Sequence, residues 1–115
     1  MPNTLGNGEW LEVGQSLWSQ NGEVELRMQD DGKIAVYVNG ECVFQNTADQ
    51  RDDVKGIHMQ EDGNLVMYTH DGTSVWHTNT ASQSGDGSTT ICAVQNDGNV
   101  VLYTGRALWA SNTGR

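Results

Sequence analysis

Apolar and polar residues alternate along three stretches of this 115-residue chain. The alternation predicts β-strands, because successive side chains of a strand point to opposite faces of its sheet. One face of each stretch carries only apolar side chains, which we expect to be buried: Leu26, Met28, Ile34 and Val36 in the first stretch, Ile57, Met59, Leu65 and Met67 in the second, and Cys92, Val94, Val100 and Leu102 in the third. The sequence shows no helical period, so we predict an all-β protein with essentially no α-helix.

An Asp-Gly pair interrupts each stretch near its middle: Asp31-Gly32, Asp62-Gly63 and Asp97-Gly98. Asp-Gly between alternating apolar residues predicts a β-hairpin, since glycine tolerates the positive φ that such a turn needs. A second turn and a short closing strand follow each hairpin. The chain therefore contains three repeated units, at residues 23–47, 54–80 and 89–113, within the single domain that we predict for residues 1–115.

Each unit predicts a small sheet that is apolar on one side only, and three such sheets must bury those sides against each other. Large residues lie in the closing strands, Trp76 in the second unit and Trp109 in the third. In the first unit, counting back from Asn-Thr selects Val43 for this position, whereas matching by size selects Phe44. We expect a threefold arrangement with these residues at its centre. Residues 10–17 are then left to complete the sheet of the third unit.

The most specific feature is the pattern Gln-x-Asp-x-Asn-x-Val-x-Tyr, which is polar where packing alone would favour apolar residues. It occurs as Gln60, Asp62, Asn64, Val66 and Tyr68, as Gln95, Asp97, Asn99, Val101 and Tyr103, and in degenerate form as Gln29, Asp31, Lys33, Ala35 and Tyr37. A hairpin turn accounts for the Asp-Gly pair, but not for Gln and Tyr at fixed flanking positions. A carboxylate accepts hydrogen bonds, while an amide and a phenol both donate and accept, which suits a hydroxyl-rich ligand.

Composition excludes several other roles. The net charge of −9 disfavours nucleic acid and anionic membrane surfaces as partners, and no apolar run approaches the length of a membrane span. Residues 1–4 lack the basic and then apolar pattern of a secretory signal, so we expect a cytoplasmic or non-classically secreted protein, unless a signal was removed. Cys42 and Cys92 form no CxxC pair, which favours two free thiols and leaves one disulfide open.

Enzymatic chemistry is not indicated. Asp62 and Asp97 lie in separate units, whereas a glycosidase needs two carboxylates that flank one bond. His58, His70 and His77 have no convincing nucleophile or metal partner, and the Asp-containing turns lack the ligand count of a calcium loop. We therefore expect no catalytic residues, no metal and no cofactor.

These residues resemble the monocot mannose-binding lectins, also called bulb-type or snowdrop-type lectins, over roughly residues 11–113. The resemblance implies a β-prism II fold, in which three four-stranded antiparallel sheets surround a pseudo-threefold axis. It also implies that Asp and Asn bind the axial O2 of mannose, Gln binds O3, Tyr binds O4 and Val packs against the C3–C4 region. Carried over to this chain, the second and third motifs form two binding sites for terminal mannose or high-mannose glycans. Each site is expected to bind weakly by itself, and several sites together are expected to agglutinate.

The sequence departs from the family pattern in two places. In the first motif Lys33 replaces Asn and Ala35 replaces Val, so we expect that site to be lost or changed in preference. Cys42 and Cys92 do not reproduce the disulfide of the plant members, and the chain looks more like the short, signal-less relatives outside plants. Family members often form homodimers by exchanging the C-terminal strand, here residues 107–112. The alternative is a protein-interaction module on the same fold, inhibitor-like or taste-protein-like, which two intact motifs disfavour.

Overall fold

The computed structural model describes residues 3–46, 50–81, 87–104, 107–111 and 113. Over these residues the chain forms a short 3-10 helix at Gly87–Thr89 and twelve strands: β1 Thr4–Leu5, β2 Trp10–Glu12, β3 Ser16–Trp18, β4 Val24–Met28, β5 Ile34–Val38, β6 Glu41–Gln45, β7 Val54–Met59, β8 Leu65–Thr69, β9 Ser74–His77, β10 Ile91–Val94, β11 Val100–Tyr103 and β12 Ala107–Ala110. The described part of the chain contains no helix that is long and apolar enough to cross a membrane.

The strands form three antiparallel sheets of four strands each. The first sheet has the order β3-β4-β5-β6, the second β2-β7-β8-β9 and the third β1-β10-β11-β12. In every sheet the last three strands come from one repeated unit, joined by the predicted hairpins. The architecture confirms the prediction of an all-β protein built from three four-stranded antiparallel sheets.

The first strand of every sheet comes from the N-terminal segment. Thr4 of β1 pairs with Ala93, Trp10 of β2 pairs with His58, and β3 joins the first sheet. The prediction that residues 10–17 complete the third sheet is therefore wrong. Each unit supplies only three strands, so each sheet needs a fourth, and the N-terminal segment passes through all three sheets to provide them.

The apolar faces of the three sheets form one core. All twelve side chains that the alternation placed on the inner faces are buried, and they belong to a single cluster that includes Leu5, Leu11 and Leu17 of the N-terminal strands. Each sheet thus contributes one leucine from its first strand and four or five residues from its hairpin, with Val24 and Val54 as the fifth in the first and second sheets. Burial of this apolar surface is the main favourable term in folding.

Three aromatic side chains of the closing strands meet beside this core. Phe44, Trp76 and Trp109 each pair with the seventh residue after the Gln of their unit. Trp109 packs edge-to-face against Phe44 at 6.0 Å and against Trp76 at 6.2 Å between ring centroids. Such geometry is favourable because a positive ring edge meets a negative ring face. The alternative between Val43 and Phe44 is thereby resolved in favour of Phe44.

The two cysteines are free and differ in environment. Cys42 is exposed on β6, whereas Cys92 is fully buried on β10, and burial raises the pKa of the Cys92 thiol to about 12. The disulfide left open by the sequence is not formed. Thr47, the end of the first predicted unit, and Asn112, within the third, lie outside the described residues. The predicted domain and unit boundaries stay predictions.

We predict that the native protein reacts with one equivalent of iodoacetamide at mildly alkaline pH, at Cys42. Cys92 should react only after denaturation, because the reactive form of cysteine is the exposed thiolate. Intact-mass spectrometry of the alkylated protein measures both results. Cys42→Ser is the control and should abolish native labelling, whereas two adducts on the folded protein would contradict the burial of Cys92.

Candidate functional site

Each motif lies across one hairpin. In the second unit Gln60 N donates to Asn64 O at 2.9 Å and Gly63 N donates to Gln60 O at 3.1 Å, which closes a three-residue loop. Gly63 has φ of 87°, and the equivalent Gly32 and Gly98 have φ of 85° and 94°. A loop of this kind requires one left-handed residue, and glycine occupies it without strain. The turn therefore places Asp and Asn beside the strand that carries Val and Tyr.

The turn also orients its own carboxylate. Asp62 Oδ1 accepts a hydrogen bond from Asn64 N at 2.9 Å. The same bond recurs at 3.0 Å in the other units, from Lys33 N to Asp31 and from Asn99 N to Asp97. This local bond is typical of Asp in turns. Because Asp62 and Asp97 are exposed, each presents an oriented acceptor to the solvent.

Gln and Tyr of each motif form a second oriented pair. The Gln29 amide donates to the Tyr37 hydroxyl at 2.8 Å, and a Gln–Tyr bond is also present in the other two units. We assign Gln60 with Nε2 toward Asp62, because this orientation gives bonds of 3.1 and 3.3 Å to the two carboxylate oxygens and lets the Tyr68 hydroxyl donate to Gln60 Oε1. In the second unit a hydrogen-bonded row then runs from Tyr68 through Gln60 to Asp62.

A β-bulge precedes the Tyr of each motif. The pairing with the closing strand shifts register between Val36 and Tyr37, between Met67 and Tyr68, and between Leu102 and Tyr103. Bulges locally bend a strand and change the direction of a side chain. The same irregularity in all three units therefore accompanies the same Gln–Tyr contact.

The Asn of the motif is held by the closing strand. Asn64 Oδ1 accepts hydrogen bonds from Thr78 Oγ1 at 3.1 Å and from Thr80 N at 3.2 Å. The third unit repeats this arrangement with Asn99, Ser111 and Thr113, at 3.0 and 3.3 Å. Two donors on Oδ1 fix the orientation of the amide. The Nδ2 group of Asn64 lies 3.1 Å from His77 Nδ1, and its second hydrogen can serve a ligand. Sequence analysis missed these hydroxyls, although the repeated Thr/Ser-x-Thr spacing is a signal for them.

The apolar residue of the motif is more covered than the alternation implies. Val66 and Val101 lie on the face opposite the core, yet they are only 4% and 3% exposed. In the second sheet the neighbours of Val66 across the adjacent strands are His58 and His77. Val66 and Val101 therefore lie at the base of their sites, and the polar residues supply most of the accessible surface.

The first motif keeps part of this geometry and loses the rest. Asn46 takes the position of Thr78, because Ile34 N donates to its Oδ1 at 2.9 Å. Lys33 offers no side-chain acceptor, and both Asn46 Nδ2 and Gln29 Oε1 are buried without a hydrogen-bond partner. The structure therefore retains the Asp turn and the Gln–Tyr pair of the first motif but has no anchored amide.

A neighbouring segment lies against the turn of the first motif. Arg51 N donates to Asp31 O at 2.8 Å, and a Cβ at Gly32 would meet Arg51 O at 2.7 Å. The Arg51 guanidinium forms two bonds of 2.9 Å with the Asp53 carboxylate and holds the pKa of Asp53 below its usual value. The contact with this segment and the missing amide distinguish the first motif from the other two.

Chemistry other than hydrogen bonding has little support in this geometry. Among the described residues, no group of three or more His, Cys, Asp and Glu side chains is arranged to hold a metal ion. Asp62 and Asp97 belong to turns of different sheets. The two intact motifs are therefore separate polar clusters, and each is a candidate binding site.

Comparison with known sequences identifies related lectins. The chain is 35% identical over 100 residues to the B-type lectin plumieribetin of Scorpaena plumieri, which covers 87% of this chain and 85% of the relative. It is 33% identical over 102 residues to mannose-specific lectin 1 of Colocasia esculenta, covering 89% of this chain but only 35% of that longer protein. No family model matches the sequence.

Comparison of structures agrees. A lectin from Marasmius oreades superimposes with a TM-score of 0.83 at 33% identity, covering 98% of this chain and 92% of the other. The mannose-specific agglutinin from snowdrop (Galanthus nivalis) bulbs, in complex with methyl-α-D-mannoside, gives 0.74 at 31% identity and 98% of each chain.

Two structurally similar lectins differ from each other in oligomeric state. A domain-swapped lectin dimer from Mycobacterium smegmatis gives a TM-score of 0.56 at 36% identity, covering 94% of this chain and 97% of the other. A monomeric mannose-binding lectin from Gastrodia elata gives 0.79 at 29% identity, covering 98% and 99%. These relatives confirm the β-prism II fold and the expectation that the chain is not an enzyme. On this evidence the chain belongs to the bulb-type (B-type) lectin family of carbohydrate-binding proteins.

Proposed function

We propose that this protein binds terminal mannose and high-mannose glycans through the motifs of the second and third units. The observation that carries the proposal is the anchored amide. Asn64 and Asn99 are each held at Oδ1 by two donors from a closing strand, beside an oriented Asp carboxylate. Related proteins named as mannose-specific, and the snowdrop agglutinin bound to a mannoside, support the same ligand.

The arrangement of groups suits the hydroxyls of a mannose ring. In our proposal the Asp carboxylate accepts from the axial O2 and the Asn Nδ2 group donates to it, while Gln and Tyr take O3 and O4. Hydrogen bonds to an ionised carboxylate are stronger than bonds between neutral groups. Glucose carries an equatorial O2, which meets the Asp–Asn pair poorly, so the same geometry favours mannose over glucose.

Single sites of this kind bind weakly. The exposed Asp residues exchange bonds to water for bonds to sugar, so each hydrogen bond contributes only about 0.5–1.5 kcal/mol net, and up to about 3 kcal/mol when the acceptor is charged. A millimolar dissociation constant corresponds to about −4 kcal/mol. Useful affinity therefore depends on several sites that engage one glycan-rich surface together. We propose that the protein agglutinates particles that display high-mannose glycans.

We further propose a homodimer formed by exchange of the C-terminal strand. β12 lies at the edge of the third sheet, next to β11. An edge strand can pair with the same position of a second copy without new contacts, which makes exchange an accessible route to dimers. The domain-swapped neighbour from Mycobacterium smegmatis supports this route. Of the proposed segment 107–112, Asn112 lies outside the described residues.

We predict that calorimetric titration with methyl α-mannoside gives two sites per chain. Asp62→Ala and Asp97→Ala should each leave one site, and the double variant should lose mannoside binding and agglutination of mannan-coated beads. Loss of one charged acceptor should weaken a site by about 10- to 150-fold, equivalent to about 1.5–3 kcal/mol. Glu61→Ala is the matched control, since it removes a carboxylate from the same turn outside the motif.

Unchanged agglutination by the Asp62/Asp97 double variant would refute the assignment of these sites. A folded wild-type protein that ignores mannosides altogether would favour the alternative of a protein-interaction module. Titration with methyl α-glucoside, which should bind more weakly than the mannoside, tests the role of the axial hydroxyl.

We predict that Thr78 is a positioning residue for the second site. Thr78→Val removes the donor to Asn64 Oδ1 and the acceptor for Leu65 N, so it should destabilise the protein by about 1–3 kcal/mol. In the Asp97→Ala background it should also weaken mannoside binding several-fold, and Thr78→Ser should restore it. Ser111→Ala in that background is the control: it removes the equivalent hydroxyl from the disabled third site, so stability should fall while affinity stays constant. Equal affinity in Thr78→Val would contradict the positioning role.

We predict a dimer with twice the 12.6 kDa chain mass in size-exclusion chromatography with light scattering. Because exchange requires release of β12 from β11, mixed dimers of tagged and untagged chains should form slowly on the timescale of the separation. A strict monomer at high protein concentration rules out the exchange.

A further inference from the structure

We propose that the second site continues into a subsite for a second sugar residue, centred on Trp10. A surface cleft of about 420 Å³ adjoins this site and is lined chiefly by Trp10, Lys55, His58, Gln60, Tyr68 and His70. The inference rests on the proposed function, since its ligand is the residue linked to the mannose that the motif holds.

Continuity with the motif identifies the occupant. Gln60 and Tyr68 line the cleft and also belong to the motif, where their side chains are bonded to each other. A mannose ring held by these two groups therefore has the cleft beside it. The neighbouring residue of the same glycan is the group that reaches this cleft without a separate binding event.

The surface of the cleft suits a pyranose ring. Trp10 stacks on His58 with ring centroids 4.5 Å apart and planes within 6°, and it meets Tyr68 at 5.8 Å with a tilt of 49°. These contacts fix the Trp10 ring, which remains only half-buried. Lys55 Nζ lies over the Trp10 ring, 4.3 Å from its centroid, and adds hydrogen-bond donors there. The part of Trp10 that lines the cleft therefore offers aromatic surface next to polar donors, which matches the C–H groups and the hydroxyls of a sugar.

The charges around the cleft favour a neutral sugar over an anionic one. Asp71 lies next to the lining residue His70, and hydrogen bonds from Thr69 and Thr73 hold the pKa of Asp71 below its usual value. Asp71 is therefore ionised at neutral pH, and the whole chain carries a net charge of −9. Lys55 supplies one positive charge in the cleft, but the net negative charge of the chain disfavours an anionic ligand.

The other two sheets lack an aromatic side chain at the position of Trp10, which makes the subsite specific to the second unit. Trp10 pairs with His58, two residues before the Gln of the motif. The equivalent pairs are Ser16 with Arg27 in the first sheet and Thr4 with Ala93 in the third. Neither pair contains an aromatic side chain. The third site therefore recognises a single mannose, whereas the second site discriminates between a mannose and a longer glycan.

The test compares methyl α-mannoside with α-1,2-, α-1,3- and α-1,6-linked mannobiosides by calorimetry in the Asp97→Ala variant, where only the second site remains. At least one mannobioside should bind about three- to tenfold more tightly than the monosaccharide, the order expected for one aromatic contact. Trp10→Ala should abolish this gain, so that the mannobiosides and the monosaccharide bind with equal affinity. Trp18→Ala is the matched control, a half-buried tryptophan of the first sheet, and should preserve the gain. In the Asp62→Ala variant no mannobioside should bind more tightly than the monosaccharide.

A conservative variant distinguishes loss of the Trp10 contact from misfolding of the protein. Trp10→Phe keeps an aromatic ring, so it should retain part of the affinity gain. The change in tryptophan fluorescence on adding the mannobioside to Asp97→Ala should disappear in Trp10→Phe and persist in Trp18→Phe. If mannosides bind but no mannobioside binds more tightly, or if the gain in affinity persists in Trp10→Ala, the subsite is refuted while the proposed function stands. Absence of all mannoside binding by wild-type protein overturns the proposed function and the subsite together.

Discussion

Burial of three one-sided sheets against a common core is the constraint on which this molecule depends. No single sheet can cover its own apolar face, so the hairpins are stable only when all three faces meet. Trp109, edge-to-face with both Phe44 and Trp76, joins the closing strands of the three sheets at that point. The inner face is therefore fixed by packing, and the outer face is available for polar groups.

This division between faces explains how the three motifs can differ while the fold stays constant. Lys33 in place of Asn removes an acceptor from the first motif and leaves Asn46 Nδ2 buried without a partner, yet the strands around it keep their register. In the second unit Trp10 and His58 add an aromatic wall instead. A change on the outer face thus alters one site without disturbing the core that all three share.

The sequence alone predicted the parts that depend on local rules. Period-two alternation identified the buried faces, and Asp-Gly located the turns that orient Asp62 and Asp97. It could not place β1, β2 and β3, because strands of two or three residues are too short to show a period. The distinction between Val43 and Phe44 depended on strand register, and the role of Thr78 on a bond to a residue fourteen positions away. The contacts of Trp10 with His58 and Tyr68 could not be predicted from the sequence either, because they form only when β2 pairs with β7.

The N-terminal segment also sets the order in which the molecule can be completed. Thr4 of β1 pairs with Ala93 of β10, so the third sheet joins two segments that lie far apart in the chain. The third sheet therefore cannot close until both segments have left the ribosome, and contacts between such distant residues are slow to form. Until then β10 and β1 each present an unpaired edge to the cell. A growing chain of this protein is consequently exposed to association with other chains through β1 until that strand pairs with β10.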